Sequence, residues 1–210
     1  MSLSSSFFTW VQGAGFYRAL YAEAVEMLPP GNGECWTDIG CGPGLMVRLA
    51  SRRGYQSEGI DSSPDMLQAA RLLAKKERIE ARFTTGSLET LGNSDAAVLS
   101  IASLLSLQAD VRAGLNHLWK ALKPDGRLLI VEPTDRMSPR RARGISGSSL
   151  PGPRRRVLHL WARARAGSGI DPRIIRDFAR ERSAGFEERL ALDEMVGIWV
   201  LHKNPEENAE

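Results

Sequence analysis

The run Thr37-Asp38-Ile39-Gly40-Cys41-Gly42-Pro43-Gly44 sets three glycines at alternate positions directly after a short apolar segment. Glycine has no Cβ, so it takes up positive φ and lets a ligand come close to the backbone. A strand ending in such a turn, with a helix starting behind it, is a cradle for a small charged or nucleoside-bearing molecule. A second carboxylate, Asp61, follows Asp38 by one strand–helix–strand unit. That spacing puts Asp61 at the next strand's C-terminal end, beside the cradle, where a carboxylate accepts from both hydroxyls of a ribose. A dinucleotide site wants G-x-G-x-x-G, but Leu45 holds the place of its third glycine. The phosphate loop G-x-x-x-x-G-K-[ST] is absent.

These residues need an alternating scaffold to hold them, and the chain has one. Residues 7–28 carry aromatics and aliphatics at helical spacing and stop at Pro29-Pro30-Gly31. Cys35 to Ile39 reads as a first strand running into the glycine turn, and Leu45 to Arg53 as a helix ended by Gly54. Tyr55 to Ile60 reads as a second strand. Ser63 is then an N-cap with Pro64 at the first helical position. Strands over Ala81 to Thr85, Asp95 to Ile101 and Arg127 to Val131 follow. A helix, Asp110 to Leu122, lies before the last of these and closes on the turn Lys123-Pro124-Asp125-Gly126. The alternation predicts an α/β fold with a parallel sheet and a ligand at the strands' C-terminal ends. After residue 135 the pattern breaks. One short helix is expected over Arg154 to Ala166, another over Pro172 to Ser183, and Phe186–Leu192 and Val196–His202 should pair as an antiparallel hairpin.

The D-x-G-x-G-x-G run resembles motif I of class I S-adenosylmethionine-dependent methyltransferases. Gly59-Ile60-Asp61-Ser62-Ser63-Pro64-Asp65-Met66-Leu67 is similar to that family's second-strand motif. Asp95-Ala96-Ala97-Val98-Leu99-Ser100 is similar to its fourth strand, and Leu122 to Ile130 to its turn into strand five. The resemblance implies a Rossmann-like, seven-stranded, mostly parallel sheet of order 3-2-1-4-5-7-6, strand seven antiparallel, with helices on both faces. It implies a single methyltransferase domain over 1–210, with an N-terminal lid helix (1–30), an arginine-rich cap (136–170) and a polar tail (204–210). S-Adenosylmethionine would be the cofactor and S-adenosylhomocysteine the product. Asp38, Gly40, Cys41, Gly42, Gly44, Asp61, Ser62, Met66, Ser87, Leu88 and Ser100 are the cofactor-binding candidates. At the end of strand three the family usually places an Asp on the adenine amino group; here Gly86-Ser87 stands instead, a weaker contact.

Methyl transfer from a sulfonium is an in-line displacement that chiefly requires positioning, with a general base only where the acceptor loses a proton. After strand four, Ser100-Ile101-Ala102-Ser103 replaces the Asp/Asn-Pro-Pro-aromatic motif of base-amino methylation. Neither a cysteine placed to attack a pyrimidine nor the paired-glutamate loop of protein-arginine methylation is found. A small-molecule acceptor remains. Tyr17, Glu132 and His159 are the catalytic candidates, with Tyr21, Ser103 and Asp135 as further acceptor-side residues. Tyr17 and Tyr21 would equally serve as packing.

Composition is that of an ordinary soluble chain, 42% hydrophobic and 25% charged. No run approaches the ~18 apolar residues of a membrane span, and residues 1–6 lack a signal peptide's features, so a cytoplasmic protein is expected. Two cysteines and three separated histidines match no metal-ligand spacing. Nine arginines and no acidic residue lie between Asp135 and Asp171, leaving the rest of the chain net acidic. This segment reads as a solvated insertion, as a cap that pairs with an anionic acceptor, or as a surface for RNA or an anionic membrane. Trp161 alone interleaves with the arginines, which counts against nucleic acid. Val157, Leu158, Leu160 and Trp161 allow peripheral membrane contact through 154–166. The rival functions are an RNA methyltransferase using the basic segment 136–165 and a non-catalytic S-adenosylmethionine-binding protein.

Overall fold

The computed structural model describes residues 15–146 and 152–205. Its centre is a seven-stranded sheet in the order β3-β2-β1-β4-β5-β7-β6. The strands are β1 Cys35–Ile39, β2 Gln56–Asp61, β3 Arg82–Thr85, β4 Val98–Ala102, β5 Arg127–Pro133, β6 Gly185–Ala191 and β7 Val196–His202. Strands β1 to β5 are parallel; β7 runs antiparallel to both β5 and β6. The expected order and the reversed seventh strand are both present.

The helices are α1 Gly15–Glu26, α2 Leu45–Arg52, α3 Pro64–Glu77, α4 Val111–Ala121, α5 Pro139–Ser146, α6 Gly152–Arg165 and α7 Pro172–Glu181. A short 3-10 helix, Leu105–Leu107, follows β4. Caps explain several starts. The Ser63 side chain accepts from the Met66 N–H, Asp110 from Ala113 and Asp171 from Arg173. Pro64 and Pro172 occupy first helical positions, where no N–H is needed.

Alternation along the central strands sends side chains to two cores. Leu129 and Val131 of β5 and Ile198 and Val200 of β7 join α1, α2 and α6 on one face. Leu128 and Ile130, with Trp199 and Leu201, join α4 and α7 on the other. A sheet covered on both faces needs apolar residues at every position, which is why β5 and β7 read as continuous apolar runs. On α1 the buried residues Phe16, Tyr17, Leu20, Tyr21, Ala24 and Val25 form one helical stripe. Phe16 and Tyr17 pack against Trp161 of α6, with ring centroids 6.2 and 5.7 Å apart.

Three expectations change. Strand β4 starts at Val98 rather than Asp95, because the Ser94 N–H bonds Ala121 and the Ser94 hydroxyl accepts from Ala96, drawing 94–96 out of the ladder. Strand β5 continues to Pro133 because β7 pairs with it through Glu132↔Gly197 and Pro133↔Val196. The arginine-rich segment holds two helices, α5 and α6, not one. The expected helical residues before Gly15, and the tail beyond residue 205, lie outside the described residues. No helix among the described residues is long and apolar enough to cross a membrane.

Candidate active site

The cradle lies where β1 and β2 end. Gly40, Gly42 and Gly44 have φ of 68°, 51° and 73°, a left-handed region that strains other residues. The turn is held from both sides. The Gly40 and Cys41 N–H groups donate to the Ile60 carbonyl at 2.8 and 3.0 Å. Arg48, buried on α2, donates to the Pro43 carbonyl at 2.6 Å and stands 3.2 Å from Glu77 of α3.

Asp61, at the end of β2, accepts from the Gly42 N–H at Oδ2 and from the Ser63 N–H at Oδ1, both at 2.8 Å. A carboxylate offers about four lone-pair sites, so each oxygen keeps one toward the open side. Asp38 lies one strand inward. Its Oδ1 accepts from the Ser100 hydroxyl at 2.6 Å, and Ser100 accepts from Trp36 Nε1 at 2.8 Å. Burial pushes the Asp38 carboxyl up to about 7, against the Ser100 hydrogen bond and with help from the Asp61 charge. Burial likewise raises the Cys41 thiol far above its usual range, so this cysteine stays protonated. Both cysteines are free.

A cavity of about 430 Å³ opens over these groups, a size typical of small-molecule sites. One end is the glycine turn with Asp61, Ser62, Met66, Ser87 and Leu88; the other is Tyr17, Tyr21, Ser103 and Leu107, and the Leu104 side chain reaches from there to Gly40. Asp38 connects the ends, since the Asp61 charge acts on it from one side and its own charge acts on Tyr21 on the other. The residues of the second end sit on three separate elements. Ser103 stands at φ 55° after β4; its N–H donates to Val131 at 2.9 Å and its carbonyl accepts from Arg165 of α6. Beneath it, Glu132 accepts from the Leu104, Leu105 and Ser106 N–H groups at 2.8, 2.7 and 3.3 Å.

Residues 37–126 match a family model described as a methyltransferase domain. Over that stretch the chain resembles a methyltransferase domain. It is 35% identical over 125 residues to a demethylmenaquinone methyltransferase of Tropheryma whipplei (strain Twist), covering 59% of this chain and 50% of that one. It is 31% identical over 94 residues to a ubiquinone biosynthesis O-methyltransferase of Idiomarina loihiensis, covering 43% and 39%. The chain thus spans about half the length, or less, of these curated relatives. In fold it is similar to the magnesium protoporphyrin IX methyltransferase of Synechocystis PCC 6803, solved with S-adenosylhomocysteine bound. That match has a TM-score of 0.71 at 17% identity and covers 97% of this chain and 95% of that one.

In this methyltransferase fold, nine of the eleven cofactor-binding candidates line the cavity: Asp38, Gly40, Cys41, Gly42, Asp61, Ser62, Met66, Ser87 and Leu88. Gly44 and Ser100 stand behind it. Gly44 begins α2, and a Cβ there would meet Phe83 at 2.8 Å. Ser100 orients Asp38. Of the catalytic candidates, Tyr17 lines the cavity. Glu132 does not: it is fully buried, and both its oxygens are engaged by the backbone beneath the β4 loop. His159 lies on α6 away from the cavity lining, and Asp135 borders a separate groove beside Arg136 and Asp171.

No arginine lines the cavity among the described residues. Arg136 and Arg141 pair with Glu194 and Asp193, Arg165 turns inward to Ser103, and Arg140, Arg143, Arg156 and Arg163 face solvent. Among the described residues, none of these arginines offers an anionic acceptor a partner in the cavity wall. Sequence reasoning missed Glu89. Its carboxylate lines the rim beside Ser87, whose hydroxyl bonds to it and holds its pKa down. A surface glutamate in a short loop carries no spacing signal that would have singled it out.

Proposed function

We propose that the protein transfers a methyl group from S-adenosylmethionine to a small-molecule acceptor. The observation that carries this reading is Asp61, braced by Gly42 and Ser63 with acceptor capacity to spare, at one end of a cavity that finishes at Tyr17 and Tyr21. The residues present fit the cofactor. Asp61 takes the two ribose hydroxyls, one on each oxygen. Asp38 Oδ2, which has no hydrogen bond among the described residues, takes the ammonium of the amino-acid end. Ser62 and Met66 border the adenine, and Glu89 with Ser87 supplies the polar edge that the family's missing Asp would have given. When bound, the sulfonium supplies an electrophilic methyl group. The chain's own contribution is to hold the acceptor at the tyrosine end, in line with that methyl and screened from water. The names of the quinone-pathway relatives support an organic acceptor of modest size.

Calorimetric titration with S-adenosylhomocysteine tests the reading, and it should bind one to one well below millimolar. No binding at that level refutes it. Asp38 adds a pH signature. An ammonium pairs with the ionised carboxylate, so affinity should rise by roughly tenfold between pH 6 and pH 8, as Asp38 ionises through about 7. For the empty protein the sign is opposite. A carboxyl whose pKa is raised by folding contributes stability at acid pH and loses it as pH rises through about 7. The gain in Tm from the ligand should therefore be larger at pH 8 than at pH 6. A pH-independent affinity removes Asp38 from the ammonium contact.

A further inference from the structure

The outer face of α5 and α6 carries positive charge that nothing in the protein answers. The two helices pack against each other. They sink Ala142 and Val157, Leu158, Trp161 and Ala162 into the core beneath. Arg140 and Arg143 of α5 stay outside, as do Arg156, Leu160, Arg163 and Ala164 of α6. On α6 these positions recur at i, i+4, i+7 and i+8, one helical stripe. So three of the four apolar residues that make 154–166 look suited to lipid in sequence belong to the core. Leu160 alone stays out, 48% exposed, one turn from Arg156 and one turn from Arg163.

No acidic residue lies between Asp135 and Asp171. The carboxylates that border the segment are engaged elsewhere: Glu194 with Arg136, Asp193 with Arg141 and Asp171 with Arg173. Arg140, Arg143, Arg156 and Arg163 have no ion-pair partner among the described residues. Such a face fits a polyanionic surface, and its apolar content says which. A single-stranded nucleic acid is held through aromatic platforms for its bases as well as cations for its phosphates. The segment's one large aromatic ring, Trp161, is buried edge-on against Tyr17. The side chain left among the arginines is aliphatic, which suits the boundary between headgroups and acyl chains.

We propose that the outer face of α5 and α6 docks the protein on an anionic phospholipid surface, with the four arginines among the headgroups and Leu160 inserted between them. The inference stands apart from the methyl-transfer reading. It bears on the cavity through Arg165, two residues past Arg163, which bonds the Ser103 carbonyl and reaches the Ser106 hydroxyl at 3.4 Å. The next residue, Leu107, is exposed on the cavity rim. A docked protein holds that rim beside the end of the lipid-bound helix.

The test is flotation of the full chain with vesicles of phosphatidylcholine, alone or with about a third phosphatidylglycerol. Wild type should bind the anionic vesicles at least roughly tenfold more tightly, and salt should erase the difference. Arg140→Gln, Arg143→Gln, Arg156→Gln and Arg163→Gln together should weaken that binding by roughly a hundredfold or more, at about fivefold for each arginine. Arg156→Gln alone, about fivefold weaker, gives the same reading where the quadruple variant does not fold. Leu160→Ser should cost roughly three- to tenfold. Lys75→Gln, Lys76→Gln, Arg78→Gln and Arg82→Gln together remove as much exposed charge from α3, its C-cap and β3, and should stay within about threefold of wild type. Absence of vesicle binding, equal binding to neutral vesicles, or an equal loss in that last variant overturns the docking face. Binding of poly(U) RNA that is tighter than vesicle binding and untouched by Leu160→Ser makes the face a nucleic-acid surface and overturns the lipid assignment.

Discussion

Asp61→Ala should weaken S-adenosylhomocysteine binding by about 10- to 100-fold while leaving the protein folded. The carboxylate does two things at once. It fixes the glycine turn by accepting from Gly42 and Ser63 at 2.8 Å each, and it presents the remaining lone pairs to the cavity. Hydrogen bonds to a charged group contribute about 1.5–3 kcal/mol, and about 1.4 kcal/mol is a factor of ten in affinity. Asp61 is only partly buried, so water can reach the two freed N–H groups and the cost to folding stays small. Asp61→Asn should also fail. Two backbone N–H groups and two ribose hydroxyls all donate toward this position, and an amide replaces one acceptor oxygen with a further donor. An affinity unchanged in Asp61→Ala, read by the same titration, removes the ribose contact from the account.

Glu132→Ala should produce the largest loss of stability, about 3–5 kcal/mol, with Tm lower by roughly 10 °C. Glu132 is fully buried, and its oxygens gather the N–H groups of Leu104, Leu105 and Ser106 at the start of the 3-10 helix. Alanine leaves one buried and two part-buried donors without an acceptor. Burial raises the Glu132 pKa, against the hydrogen bonds from Ser106, Leu105 and Leu104 and the nearby charge of Arg165. The residue therefore works as the fixed support of the loop that carries Ser103 and Leu104. Glu132→Gln separates this role from proton transfer. A supporting residue loses stability on becoming Gln, because one oxygen that faces N–H groups becomes an NH₂. A proton-transfer group would keep stability and lose turnover. Denaturant unfolding of both variants decides, and wild-type stability in Glu132→Ala contradicts the supporting role.

What the chain's letters reveal is whatever depends on local chemistry. The glycine turn was legible because each of its three glycines occupies a backbone conformation that other residues avoid. Ser63 and Pro64 announced a helix start, and the apolar runs of β5 and β7 announced strands covered on both faces. Glu132 falls outside the strand expected over Arg127 to Val131 because the length of β5 depends on a partner sixty-odd residues away, through Glu132↔Gly197. Arg165 looks like its eight neighbours in the arginine-rich segment; only the packing of α6 against α1 turns it inward to Ser103. Tyr17 and Tyr21 stand four apart on a helix, a spacing that fits plain packing equally well. That their hydroxyls lie 2.7 Å apart and line a cavity shows only in the fold.

The most direct measurement of the central claim is a crystal structure with S-adenosylhomocysteine bound. It should place the ribose hydroxyls on Asp61, the ammonium on Asp38 Oδ2, and the sulfur toward Tyr17 and Tyr21, with the space between sulfur and tyrosines left for the acceptor. A ribose away from Asp61, or an adenosine moiety filling the tyrosine end, would contradict it.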